Sequence, residues 1–420
     1  MSVQEFRPGR KVIISAVTAV AATYAYFLLF AQFGFLKALQ LATPGEAGVM
    51  KPVLAAMGLA GVTGSVLAAR LFTVEHGRRL LAAGFAISAA AAGLLLSGEP
   101  RPVYFLVALL VGLGTGLVTV TLAGLLRRAL GGARLGITIG LGTGLAYAFC
   151  NLPAVFNATP AAQAQLSLVI CGFGALAGAG LELRAVEDIP TGFDYSRPGA
   201  ALWVLVFFTL VCLDSAAFYI IQHTPAIKDE TWVGAWRLEV NAGMHLVAAV
   251  LAGYALDRRR VGRVVLVAGG LLITACVLMD ASRRSLTEGA FSYTVGVSVY
   301  SAALVFYPAR SLRPRLAAIV YAVAGWAGSA LGIGLAENLH AVPGWLIATA
   351  AGVLLTAMLA RRILGARWTV AAAAGFMAFG AMTVAPRAEA QDVALISYHL
   401  PAAVRLGIRA DFLGRVWWVV

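Results

Sequence analysis

The sequence predicts an all-α polytopic membrane protein, and three observations carry that reading. First, the 420 residues are 60% hydrophobic and only 12% charged, with a mean hydropathy of +0.86. An ordinary soluble chain has about twice that share of charge. Second, the apolar residues come in continuous runs of about 20, the length a helix needs to cross the hydrocarbon core. Third, the basic residues cluster between those runs with a strong alternation, which is how membrane orientation is encoded. This composition excludes a soluble enzyme of ordinary design, a disordered chain and a fibrous repeat. A β-barrel would alternate apolar and polar residues over segments of about ten. These runs are unbroken and rich in Ala, Leu and Gly.

Twelve runs follow in order. The first six are near 12–35, 48–72, 79–97, 103–126, 135–156 and 164–182. After a polar gap come 200–222, 236–256, 263–280, 291–308, 315–335 and 343–361. A thirteenth lies near 368–385. With the N-terminus in the cytoplasm, the inner loops hold twenty-one Lys and Arg and the outer loops before the thirteenth run hold seven. Adding or dropping one span would scramble that bias. The segment 183–199, LRAVEDIPTGFDYSRPG, is the longest polar stretch between runs and divides them six and six. The expected organisation is a first six-helix bundle over 1–182, a cytoplasmic linker over 183–199, and a second bundle over 200–361. An extra transmembrane segment with a periplasmic tail would occupy 362–420. Glycine is abundant, 46 residues, as suits close helix–helix contact.

Other chemistry finds little footing. The net charge of +13 would raise nucleic acid as a partner in a soluble chain. Here the basic residues write topology, so no nucleic acid is expected. Cys150, Cys171, Cys212 and Cys276 lie apart inside apolar runs, without the paired spacing of a redox or zinc site. The sequence has no phosphate-binding Gly-rich loop followed by Lys, no G-x-S-x-G, no H-E-x-x-H and no C-x-x-C-H. Neither enzymatic activity nor a cofactor is expected.

Span 8 ends in Gly253-Tyr254-Ala255-Leu256-Asp257-Arg258-Arg259-Arg260-Val261-Gly262-Arg263. The related place after span 2 reads Gly64-Ser65-Val66-Leu67-Ala68-Ala69-Arg70 and then Gly77-Arg78-Arg79. It keeps the glycine and the terminal Gly-Arg-Arg, lacks the aspartate and has a longer loop. The string in span 8 resembles the G-x-L-a-D-R-x-G-R-R loop motif of the major facilitator superfamily. With the six-and-six layout, the resemblance covers about residues 10–361. It implies two six-helix bundles around a central path, secondary transport by alternating access, and a conformational latch at Gly253, Asp257, Arg258, Gly262 and Arg263, with Gly64 and Arg78 as the half-related positions. Asp257 stands at the C-terminal end of its helix, where the dipole disfavours an anion. It therefore wants a partner, and an arginine of its loop or the start of span 11 could supply one. A second reading leaves it as a charge that merely neutralises a basic loop.

Spans 5 and 11 are glycine-laddered, at Gly136, Gly140, Gly142 and Gly144 and at Gly325, Gly328, Gly332 and Gly334. Span 5 lacks the proline that exchangers of this family carry among those glycines. Span 4 has no basic residue before Arg127, unlike many proton-coupled members.

Ionisable groups inside a span are expensive and commonly functional. Asp214 stands mid-span, with Phe218 and Gln222 on its face and Tyr219 following. It either binds a proton or cation, holds a polar substrate, or makes a structural hydrogen bond. In span 8, Asn241 and His245 share a face. Tyr24, Tyr147 and Tyr321 lie deep in spans 1, 5 and 11. These residues are the candidate substrate or proton site, with His245 open to a packing role as well. Cys212, Met244 and His245 are weak candidates for a soft metal. A branch of the family that imports copper uses Met and His pairs in spans 7 and 8, but the Met-x-x-x-Met and His-x-x-x-Met spacings are absent here.

The expected function is secondary transport of a small solute, with protons as candidate coupling ions, in a bacterial inner membrane and among its lipids. Two alternatives stay open: a non-transporting accessory or assembly subunit of a respiratory or photosynthetic complex, and import of copper or another metal. The tail after Gln391, with Trp417 and Trp418, would suit docking to a larger membrane complex.

Overall fold

The computed structural model describes residues 8–43, 47–97, 102–132, 134–183, 197–281 and 286–363. Those residues are mostly helical, without strands. Ten helices are long and apolar enough to cross a membrane: α1 (Arg10–Ala42), α2 (Val49–Leu71), α3 (Gly77–Leu96), α4 (Pro102–Leu130), α6 (Pro160–Ala179), α7 (Gly199–His223), α8 (Ala235–Asp257), α9 (Val261–Met279), α10 (Leu286–Arg310) and α11 (Pro314–Leu339). Two shorter apolar helices, α5 (Leu135–Cys150) and α12 (Gly344–Ala357), complete the series. The chain is a multi-pass α-helical membrane protein. The thirteenth run, the tail and nearly all of the expected linker lie outside the described residues.

Helix ends follow local chemistry. The fifth run, read as continuous over 135–156, breaks at Cys150, where Asn151 Nδ2 donates to the Tyr147 carbonyl at 2.9 Å. Pro153 then opens a separate short helix, Pro153–Phe156, as suits a residue without an N–H at a first helical turn. Thr159 caps α6, its hydroxyl accepting from Ala162 N–H at 3.2 Å. The first span runs past its expected end at 35, and Leu39 stays fully buried beyond it. Phe27–Gly34 in α1 and Val320–Ala327 in α11 are π-helical, a form that often marks functional segments.

The packing has an internal repeat. α1 packs on α5 and α6, α2 on α4, and α3 on α4 and α6. Six helices later, α7 packs on α11 and α12, α8 on α10, and α9 on α10 and α12. The two sets meet where α5 crosses α8, α2 crosses α11, and α10 rests on α4 and α5. Burial sorts the helices accordingly: 83% of the apolar window of α10 is buried, against 33% for α3. Val169, Phe173 and Leu176 form an exposed stripe on α6, and Val247, Leu251 and Tyr254 another on α8. Water would penalise such stripes; lipid tails accept them.

Packing inside a bilayer relies on close backbone approach rather than on the hydrophobic effect. The α5–α8 crossing shows why glycines are required. A methyl group at Gly253 would run into the Gly136 carbonyl, and one at Gly140 into the Ala249 carbonyl. At the α2–α11 crossing the Trp326 ring lies directly on Gly61.

Candidate functional site

A cavity of about 490 Å³ lies between the two sets of helices, within the range typical of small-molecule sites. Its walls come from α1, α2, α4 and α5 and from α7, α8, α10 and α11, with Trp232 added by the short helix Pro225–Trp232. None of the lining residues lies in α3, α6, α9 or α12. The cavity extends from Leu122, Val305 and Tyr321 to Gln40, Lys51, His223 and Glu337. It therefore reaches the end opposite the basic loops. At that mouth Lys51 and Glu337 pair across α2 and α11 at 3.4 Å.

Asp214 on α7 and the polar face of α10 form the core of the site. Tyr300 Oη donates to Asp214 Oδ2 at 2.5 Å. Tyr293 also interacts with the Asp214 carboxyl, whose Oδ1 is buried. Ser301 ties the first set of helices to α10: its hydroxyl pairs with Tyr147 Oη at 3.0 Å, and its carbonyl accepts from Tyr24 Oη at 3.2 Å. Tyr147 stacks on His245, with ring centroids 4.5 Å apart and planes 15° from parallel. Ser298 Oγ donates to the Thr294 carbonyl at 3.0 Å and lies 2.6 Å from His245 Nδ1.

Most of the expected residues converge. Asp214, His245, Tyr24, Tyr147, Tyr219 and Tyr321 all line the cavity, as do Phe218 and Gln222. Tyr219 stacks on His223 near the mouth, centroids 4.0 Å apart. Asn241 does not line it. Its amide donates to the Thr231 carbonyl at 2.8 Å and its carbonyl oxygen accepts from Thr294 at 3.4 Å, so it fastens the short outer helix and α10 to α8. Of the weak metal candidates, Cys212 and Met244 are absent from the lining, and no cluster of three His, Cys, Asp or Glu occurs among the described residues. Asp214 pairs with Tyr300, not with His245.

The basic end is closed. α8 terminates through Arg259, whose φ of 60° is left-handed, and Arg260 N–H closes the turn on the Ala255 carbonyl at 3.2 Å. That turn presents Asp257 to the start of α5, where Arg134 supplies no side-chain cap. Asp257 Oδ1 accepts from Gly136 N–H at 2.6 Å and Oδ2 from Ile137 N–H at 2.9 Å. Two orphan amide donors are satisfied, and a carboxylate sits at a positive helix end. The expected partner was an arginine of its loop or the start of span 11; the hydrogen bonds come from the start of α5, and Arg258 of the loop and Arg310 of α10 add electrostatic attraction. Arg258 also lies over the Tyr254 ring, 3.3 Å from its centroid, while Gly262 and Arg263 open α9. Gly64 packs on the Leu113 carbonyl of α4 and Arg78 reaches the Leu181 carbonyl at 3.5 Å. Both contacts stay within the first set, so neither residue bridges the sets as Asp257 does. A second bridge runs from Arg127 of α4 to the Arg310 carbonyl of α10.

Sequence reasoning missed Tyr293, Ser298, Tyr300 and Ser301. Residues 293, 297, 300, 301 and 304 recur at helical spacing along one face of α10, and all line the cavity. That stripe was the available signal. No protein-family model matches the sequence, and no curated protein matches it.

Proposed function

We propose that this chain is a transporter of the major facilitator fold, moving a small solute across a bacterial inner membrane by alternating access, and that it is not an enzyme. The observation that carries the reading is the cavity between the two repeats, reaching one end and blocked at the other by bridges from α8 to α5 and from α4 to α10. With the basic loops in the cytoplasm, this is an outward-facing state. The repeated packing order supports the fold assignment, and the Asp257 contact gives the span 8 motif a mechanical role. Opening inward requires these bridges to break while the mouth near Lys51 and Glu337 closes.

Asp214 is the candidate coupling group. It can exchange a proton with the cavity while Tyr300 holds one oxygen. An accessory subunit without transport needs no open path between the repeats, and metal import has only His245 of its three candidates on the cavity wall. The reading is tested by reconstituting the full chain in liposomes and screening solutes by counterflow. Saturable exchange that stops when α5 and α8 are cross-linked at the basic end supports it. Exchange that survives the cross-link contradicts it.

A further inference from the structure

The charge lining the cavity has a sign. Glu337 and Lys51 at the mouth neutralise each other at 3.4 Å, and no other Lys or Arg lines the wall. That leaves Asp214 as the unbalanced carboxylate. Tyr300 donates to one of its oxygens, and Tyr293 interacts with the same carboxyl. Two tyrosine hydroxyls leave its charge without a cationic partner, which is costly away from water. Rotation about χ2, which is broad for aspartate, can turn the carboxylate to the cavity.

The remaining wall is mostly apolar and aromatic. Tyr24 and Tyr147 lie 6.1 Å apart between centroids, and Tyr321, Trp326 and Phe218 add further rings. Aromatic faces attract a desolvated cation. A bare metal ion is a poor match, because it needs several oxygen, nitrogen or sulfur ligands together, and the described residues hold no such cluster. An anion would meet Asp214 with no Lys or Arg deeper than the mouth among the described residues.

We propose that the cavity takes a monovalent organic cation, an amine or quaternary ammonium with an aromatic or branched apolar body. The cationic head sits at Asp214 and the body lies among the rings of Tyr24, Tyr147, Tyr321 and Trp326. The proposal rests on reading the cavity as a transport site, and it names the class of solute.

The test uses the purified full chain in lipid nanodiscs with two probes of similar ring size: benzyltrimethylammonium and benzenesulfonate. Equilibrium dialysis of labelled benzyltrimethylammonium should show saturable binding, and a hundredfold excess of benzenesulfonate should not displace it. Asp214→Asn should weaken binding by about tenfold or more, while Asp214→Glu should retain most of it. No saturable binding of the cation, or equal binding of the sulfonate, overturns the proposal on the parent protein alone, even if Asp214→Asn fails to fold. Side-switching of a cysteine that replaces Thr119, a residue of α4 on the cavity wall, is measured in parallel without any probe, as its labelling from either side of the membrane. Switching without cation binding rejects the cation and leaves transport standing. Cation binding without switching keeps the ligand class and rejects transport.

Discussion

Replacing Asp257 by alanine removes the carboxylate that holds the end of α8 against the start of α5. Two backbone N–H groups, at 2.6 and 2.9 Å, lose their acceptor. A buried hydrogen bond to a charged group contributes about 1.5–3 kcal/mol. Asp257 is half-buried, so solvent screening halves that figure as a rough guide. The two bonds together then bias the closed basic end by about 1.5–3 kcal/mol, a population change of roughly 10- to 140-fold. Spin labels at Arg134 and Arg260, both exposed and flanking the contact, read the separation by double electron–electron resonance. The parent should give one short distance, and Asp257→Ala should add a longer population. Asp257→Asn keeps one acceptor oxygen without the charge and should fall between. A distance distribution in Asp257→Ala identical to the parent's would refute the latch.

Three further outcomes follow from the geometry. Gly253→Ala should destabilise the fold by about 1–3 kcal/mol through overpacking against Gly136, whereas Gly243→Ala on the same helix, with open space at its Cβ, should stay within about 1 kcal/mol of the parent; paired thermal unfolding in detergent checks this, and equal melting points would count against the close α5–α8 crossing. Asp214→Asn should lose proton-driven accumulation and keep downhill counterflow once the solute concentration is raised to offset its weaker binding, because an amide still accepts from Tyr300 but cannot cycle a proton; full accumulation by the variant would remove Asp214 as the coupling site. A cysteine introduced at position 192, in the expected linker, should resist impermeant maleimide added outside intact cells, and ready labelling there would invert the topology.

The fold was legible because the bilayer imposes a length on every span. The run at 103–126 became Pro102–Leu130 and the run at 79–97 became Gly77–Leu96. Boundaries slipped where apolar content and helix geometry disagree. Hydropathy cannot see that Pro153 starts a new helix, nor that Leu36, Leu39 and their polar neighbours extend α1. The site was half legible. A carboxylate in an apolar run stands out by its cost, so Asp214 was visible. Tyr300 and Ser301 carry no formal charge and blend into a run of Val, Ala and Ser, although their spacing with Tyr293 makes one face. The hydrogen-bond donors to Asp257 were illegible for a simpler reason: they are backbone amides, present at the start of every helix. Only tertiary packing selects those of Gly136 and Ile137, and the glycines that permit it were visible without their destination.

The central claim is that one cavity faces the two sides of the membrane in turn. Thr119 of α4 lines that cavity and is partly exposed, so a single cysteine there, in a background without the four native cysteines, reports which side has access. The measurement is its rate of labelling by impermeant maleimide in right-side-out and inside-out vesicles, in the parent and with Asp257→Ala. The account predicts labelling from the outer side in the parent and a gain of labelling from the inner side, with outer labelling reduced, when Asp257 is replaced. Labelling confined to the outer side in both proteins would contradict it.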